Sequence, residues 1–113
     1  MLNFLGGTQI FLAAGATDLR KSFDTLAGVV RGQLGGNPLS GHLYVFCNRG
    51  RNRIKILFWD RAGYWVCAKR LETGTFTWPL SDAPSIQLTP EELTLLLGGI
   101  DLGKTRARKW YNK

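Results

Sequence analysis

Seven of the fifteen Lys and Arg residues of this chain fall within residues 42–71, HLYVFCNRGRNRIKILFWDRAGYWVCAKRL, against a single acid, Asp60. They are Arg49, Arg51, Arg53, Lys55, Arg61, Lys69 and Arg70. Guanidinium forks match phosphate oxygens two at a time, and ammonium groups attract them as point charges. The chemistry this suggests is polyanion binding. Arg49, Arg51 and Arg53 would approach phosphates around a turn, while Lys55, Lys69 and Arg70 extend the patch over a sheet; a two-stranded ribbon also fits a DNA major groove. The competing reading is a solvated sheet face whose Lys and Arg discourage edge aggregation. Mixed charge would serve that purpose, and seven bases to one acid is not mixed. Phosphate contacts orient a protein without reading bases, so strong sequence preference is not expected.

A second basic group, Lys104, Arg106, Arg108 and Lys109, lies in an end segment that carries no acid after Asp101. It reads as an arm that folds on a polyanion or on a protein partner, or as a solubilising end. Trp110 and Tyr111 favour a docked end. Aromatic residues run through the same strands as the charges. They either stack on unpaired bases, as in single-strand binders, or form core and cross-strand pairs, the commoner use. Trp59 and Tyr64 flank a turn and share faces with charges, which makes them the candidates for stacking.

Enzymatic chemistry finds little to work with. Asp18, Glu91 and Glu92 read as helix starts and Asp60 as a turn residue, so nothing forces carboxylates to converge as a two-metal nuclease requires. His42 is the only histidine and has no acid at a spacing that would make it a general base. Gly6-Gly7, Gly35-Gly36 and Gly98-Gly99 are breakers; no phosphate loop of the GxxxxGK[ST] type occurs. Cys47 and Cys67 lie twenty residues apart without a CxxC, which argues against zinc and reads as two small apolar residues of a reducing compartment. Whether the two are neighbours in space stays open. No catalytic residue, metal site or cofactor is expected.

The elements that must position these residues come next. With 113 residues, 44% apolar and 20% charged, the chain is expected to form one domain. A net charge of +7 favours polyanionic partners. The N-terminus is broken by Gly6, Gly7 and Gln9 and makes a poor signal peptide; no run reaches the ~20 apolar residues of a membrane span, so a cytoplasmic protein without membrane contact is expected. Residues 8–14 read as a strand. Thr17 and Asp18 read as a helix start, and Leu19, Phe23, Leu26, Val30 and Leu34 mark one face of a helix over 18–34 that Gly35-Gly36 stops. Strands follow at 42–47, 53–59 and 64–71, joined by turns at 48–52 and 60–63. The apolar run Ile54, Ile56 and Phe58 is expected to pack under the 18–34 helix. Glu72-Thr73-Gly74 leads into a fourth strand at Thr75–Trp78, and Ser85–Leu88 is an extended segment. Thr89-Pro90-Glu91-Glu92 opens a last helix through a capping box, with Leu93, Leu96 and Leu97 on its apolar side. The fold class expected is α+β: an antiparallel β-meander sheet of about four to six strands, packed by an N-terminal helix and a short C-terminal one. Residues 1–103 would form the domain and 104–113 a basic tail.

GATDLRKSFDTL (15–26), SGHLYVFCNRGRNRIKILFWD (40–60), KRLETGTFTWP (69–79) and LTPEELTLLLGGID (88–101), in this order, resemble the TnpB accessory protein (Orf2-like) family of IS-sixty-six-type bacterial insertion sequences. The likeness covers nearly the whole chain. It implies a non-enzymatic protein encoded beside a separate transposase and supporting movement of the element; it brings no catalytic residues with it. The 48–52 turn, Asn48-Arg49-Gly50-Arg51-Asn52, is more basic than the family pattern. DNA, as element ends or non-specific duplex, and the element's transposase are the partners expected. The alternative is an adaptor whose sheet or Leu93–Leu97 helix docks on the transposase without touching DNA. A third reading, a metal-dependent nuclease, requires a carboxylate that the sequence does not single out. Oligomeric state and DNA form stay open at this level.

Overall fold

Five strands form one mixed sheet in the order β4-β3-β2-β1-β5, with a helix against each face. This is a computed structural model, and it describes residues 7–20 and 22–99. In chain order the elements are β1 (Ile10–Ala13), α1 (Phe23–Gly32), β2 (Leu43–Cys47), β3 (Arg53–Trp59), β4 (Tyr64–Arg70), β5 (Ser85–Leu88) and α2 (Pro90–Leu97). The arrangement is α+β and mostly antiparallel. β2, β3 and β4 make the meander that period-2 alternation predicts. β1 runs parallel to β2, with α1 in the connection between them, and β5 returns antiparallel on the other side of β1.

Alternation along the strands sends two apolar sets to opposite faces. Ile10, Leu12, Leu43, Val45, Cys47, Ile54 and Ile56 pack with Phe76, Trp78, Leu88 and the α2 residues Leu93 and Leu96. Ala13, Tyr44, Phe46 and Leu57 pack with Leu26, Ala27 and Val30 of α1. Ile54, Ile56 and Phe58 therefore lie on the α2 face, away from the N-terminal helix expected to cover them; Leu57 is the β3 residue under α1.

Two further expectations are corrected. The N-terminal helix begins at Phe23 behind an N-cap at Ser22, whose amide donates to Thr25 Oγ1 at 3.1 Å. Thr17 and Asp18 do not start it. The Thr17 amide is held by Cys47 O at 2.8 Å, and the Asp18 carboxylate takes the Arg20 amide at 3.0 Å, so both are tied into an irregular lead-in. Phe23 is consequently exposed, while Leu26 and Val30 are fully buried. The second correction concerns 75–78, which adds no strand. Gly74 turns the chain at φ +76°, the Phe76 amide donates to Arg51 O at 2.6 Å, and Phe76 and Trp78 sink into the α2-side core. The Trp78 indole N–H donates to Ala13 O at 2.9 Å and fixes the segment beneath the sheet. Among the described residues no strand neighbours the outer side of β4.

The capping box at the start of α2 forms as predicted: Glu92 N donates to Thr89 Oγ1 at 3.1 Å and Thr89 N to Glu92 Oε1 at 3.0 Å. No helix among the described residues is long and apolar enough to cross a membrane.

Candidate nucleic-acid interface

Beyond the part of the sheet that α1 covers, the ends of β3 and β4 lie open on the same face. Strand register puts Arg53 opposite Arg70 and Lys55 opposite Ala68 there. The lead-in to α1, residues 16–20, forms one wall, held to the end of β2 by the Thr17–Cys47 bond. The Asn48–Gly50 turn forms another. Together they enclose an open groove of about 840 Å³. Ala68, opposite Lys55, is a small residue of its lining.

The turn is clamped by one side chain. Asn48 Oδ1 accepts from the amides of Asn52 (3.1 Å) and Arg53 (3.0 Å), its Nδ2 donates to Asn52 Oδ1 (2.7 Å), and its carbonyl takes the Arg51 amide (3.1 Å). A turn so tied holds Arg49 exposed at the rim. Arg20 stands on the opposite wall, where it pairs with Asp18 through Nε at 3.0 Å and Nη2 at 2.9 Å. That carboxylate, by hydrogen bond and charge, holds the Arg20 guanidinium yet more firmly protonated. Arg70 pairs with Glu72 at 3.0 Å on the solvent side. Both ion pairs are exposed and contribute little to stability. The guanidiniums remain available to exchange a carboxylate for a phosphate.

The sequence candidates separate on this geometry. Arg49, Arg53, Lys55, Lys69 and Arg70 border the groove. Arg51 does not. It takes the left-handed backbone conformation at φ +59°, and its guanidinium lies over the Trp78 ring, 5.8 Å from the centroid, with Nη1 buried. It also touches Cys47, whose thiol burial pushes up and Arg51 partly brings back down. Lys69 borders the groove, but its ammonium is directed to the other face, where it donates to Leu97 O at 2.6 Å, at the C-terminal end of α2. Lys104, Arg106, Arg108 and Lys109 lie outside the described residues, as does the 103/104 boundary. Arg20 and Ala68 were not singled out by sequence. In a helix over 18–34 Arg20 would fall off the apolar face, and it is the irregular course of residues 16–20 that turns it to the groove.

Trp59 and Tyr64 pack edge to face with centroids 5.1 Å apart, both half-buried, at the end of the β3–β4 ribbon remote from Arg53 and Arg70. Trp65, on the α2 face, is more open at 54% exposure. It stacks on Phe58 at 6.2 Å and its indole N–H donates to Asp60 Oδ2, which with the amides of Ala62 and Gly63 holds the Asp60 carboxyl below the usual range. His42 Nδ1 accepts from the Gln9 amide at 3.0 Å. Among the described residues no group of three or more His, Cys, Asp or Glu is placed to hold a metal ion. Cys47 and Cys67 are both free thiols; β3 lies between their strands, which answers the question of adjacency.

Comparison with known proteins adds relatives to this geometry. The model of a family described as IS66 Orf2 like protein matches residues 8–107. Two proteins of Sinorhizobium fredii (strain NBRC 101917 / NGR234) are similar along most of their length. The uncharacterized protein y4hO is 39% identical over 93 residues, covering 82% of this chain and 81% of its own. The uncharacterized protein y4jC is 28% identical over 102 residues, covering 90% and 87%. No solved structure matches.

Proposed function

We propose, from the fact that the chain belongs to the family of IS66 Orf2 like proteins, that it is an accessory protein of transposition and binds DNA through phosphate contacts in the β3–β4 groove. The observation that carries the DNA reading is the register of Arg53 directly opposite Arg70. Like charges facing each other across a ladder destabilise a sheet. Here Lys55, Arg49 and Arg20 crowd the same groove. Asp18 and Glu72 offset part of this charge through their pairs with Arg20 and Arg70, and the excess of cations that remains favours a polyanion along the groove. The basic stretch Lys104, Arg106, Arg108 and Lys109 following residues 1–103 supplies further contacts on this reading, and the element's transposase is the protein that the bound DNA would be presented to.

The test is a gel shift on element ends and on random duplex across a salt series. If about five phosphates are neutralised, log K falls against log salt with a slope near −4.5. The triple variant Arg49→Ala/Arg53→Ala/Arg70→Ala flattens that slope and loses affinity while its circular dichroism is unchanged. Wild-type affinity in this variant would remove the groove from the interface. The adaptor alternative predicts transposase capture that survives nuclease treatment with no shift of DNA alone. Its helical version has less surface to use, because Leu93 (2% exposed) and Leu96 (0%) are already spent on the core.

A further inference from the structure

Among the described residues the outer side of β4 is an unpaired sheet edge, and the ladder on its inner side fixes which groups it offers. Leu71 N donates to Asn52 O and Asp60 N to Gly63 O, so the hydrogen-bonded pairs with β3 are those of odd-numbered β4 residues. Trp65, Cys67 and Lys69 aim their amides and carbonyls at β3; Tyr64, Val66, Ala68 and Arg70 aim theirs outward. Those outward groups have no main-chain partner among the described residues. β4 is seven residues long, pairs one-to-one with β3 without a bulge, contains no proline, and is charged at one end only. These are the features that lead an edge to accept another strand.

We propose that β4 pairs antiparallel with β4 of a second copy of this chain, about a two-fold axis at Cys67. This is the symmetric register that uses all seven residues. It sets Tyr64 opposite Arg70, Trp65 opposite Lys69, Val66 opposite Ala68 and Cys67 opposite itself. Each aromatic residue at one end meets a basic residue at the other, so Tyr64 stacks on a guanidinium and the exposed Trp65 ring receives a lysine stem. No like charges face each other. Registers centred on Lys69 or Arg70 would oppose identical cations. The outward amides and carbonyls supply roughly eight main-chain hydrogen bonds. Because Cys67 belongs to the odd set, the Cys67 pair is non-hydrogen-bonded, with Cα atoms about 4.5 Å apart. That distance lies inside the disulfide window of about 4.4–6.8 Å. The pairing does not depend on DNA and is tested without it.

Sedimentation equilibrium up to roughly 100 μM should show a reversible monomer–dimer equilibrium. Ala68→Pro removes an outward N–H and leaves every β3–β4 bond in place; Trp65→Lys sets lysine against lysine. Both are expected to sediment as folded monomers with native circular dichroism. Diamide, which takes up the two thiol protons and two electrons, should convert the wild type to a covalent dimer. Cys67→Ser should abolish that product and Cys47→Ser retain it. A wild type that stays monomeric overturns the proposal, as does a dimer that both variants keep. A dimer that diamide fails to link through Cys67 rejects this register and the proposal with it.

Discussion

Arg51 and Arg53 are two residues apart in a basic run, yet they do different work. Arg53 begins β3, where alternation fixes its side, and it lies beside Arg70 across the β3–β4 ladder, both lining the groove. Arg51 sits in the turn before the alternation starts, and its positive φ swings the side chain to the opposite face, over Trp78. Charge was legible in the sequence; direction was legible only where a strand imposes a period of two. Arg51→Ala should therefore lower the unfolding free energy by about 1 kcal/mol for the lost contact with a buried indole, seen as a lower urea midpoint with an unchanged m-value. DNA affinity of the folded protein should stay within about twofold. Arg53→Ala should behave conversely, keeping its midpoint and reducing the salt slope by about one. A larger affinity loss for Arg51→Ala than for Arg53→Ala would return Arg51 to the interface.

At the scale of elements, adjacent residues of β4 serve opposite faces. Arg70 lines the groove, and the Lys69 ammonium donates to Leu97 O at the end of α2, where the helix dipole favours a cation. The sequence contained this split, since neighbouring strand residues cannot share a face. It did not show that the end of the C-terminal helix would lie against Lys69. Lys69→Ala should cost about 0.3–1 kcal/mol in thermal or chemical unfolding and leave binding to a short duplex unchanged, whereas Arg70→Ala should weaken that binding. The other element-level differences have one physical cause: hydrogen bonds outside the regular helix and strand patterns won over periodicity. The sequence places Leu19 and Phe23 on a helical face, but Asp18 binds the Arg20 amide and delays the helix to Ser22. Thr75–Trp78 alternates like a strand, but Pro79 follows it, and the Phe76 and Trp78 hydrogen bonds draw it under the sheet. The capping box of α2, by contrast, was readable in full, because all its partners lie within four residues of one another.

For the whole molecule, the two proposals combine into a geometric expectation. A two-fold axis perpendicular to the sheet keeps both grooves on one face of a continuous ten-stranded sheet, five strands from each copy. Arg70 of one copy and Arg70 of the other are then offset by six residues along the strand direction, roughly 20 Å. That offset corresponds to about six base pairs of duplex. A duplex too short to cross the axis reaches one groove, and a longer one engages both, so the second contact becomes intramolecular and gains from a high effective concentration. Affinity of the wild type should thus rise steeply over a narrow range of duplex lengths, with the salt slope nearly doubling across it. Trp65→Lys, whose substitution is on the face away from the groove, should show only the shallow rise that added non-specific sites produce. A steep rise in Trp65→Lys as well would place the two-site contact within a single copy, with the basic residues beyond position 103 as its second half.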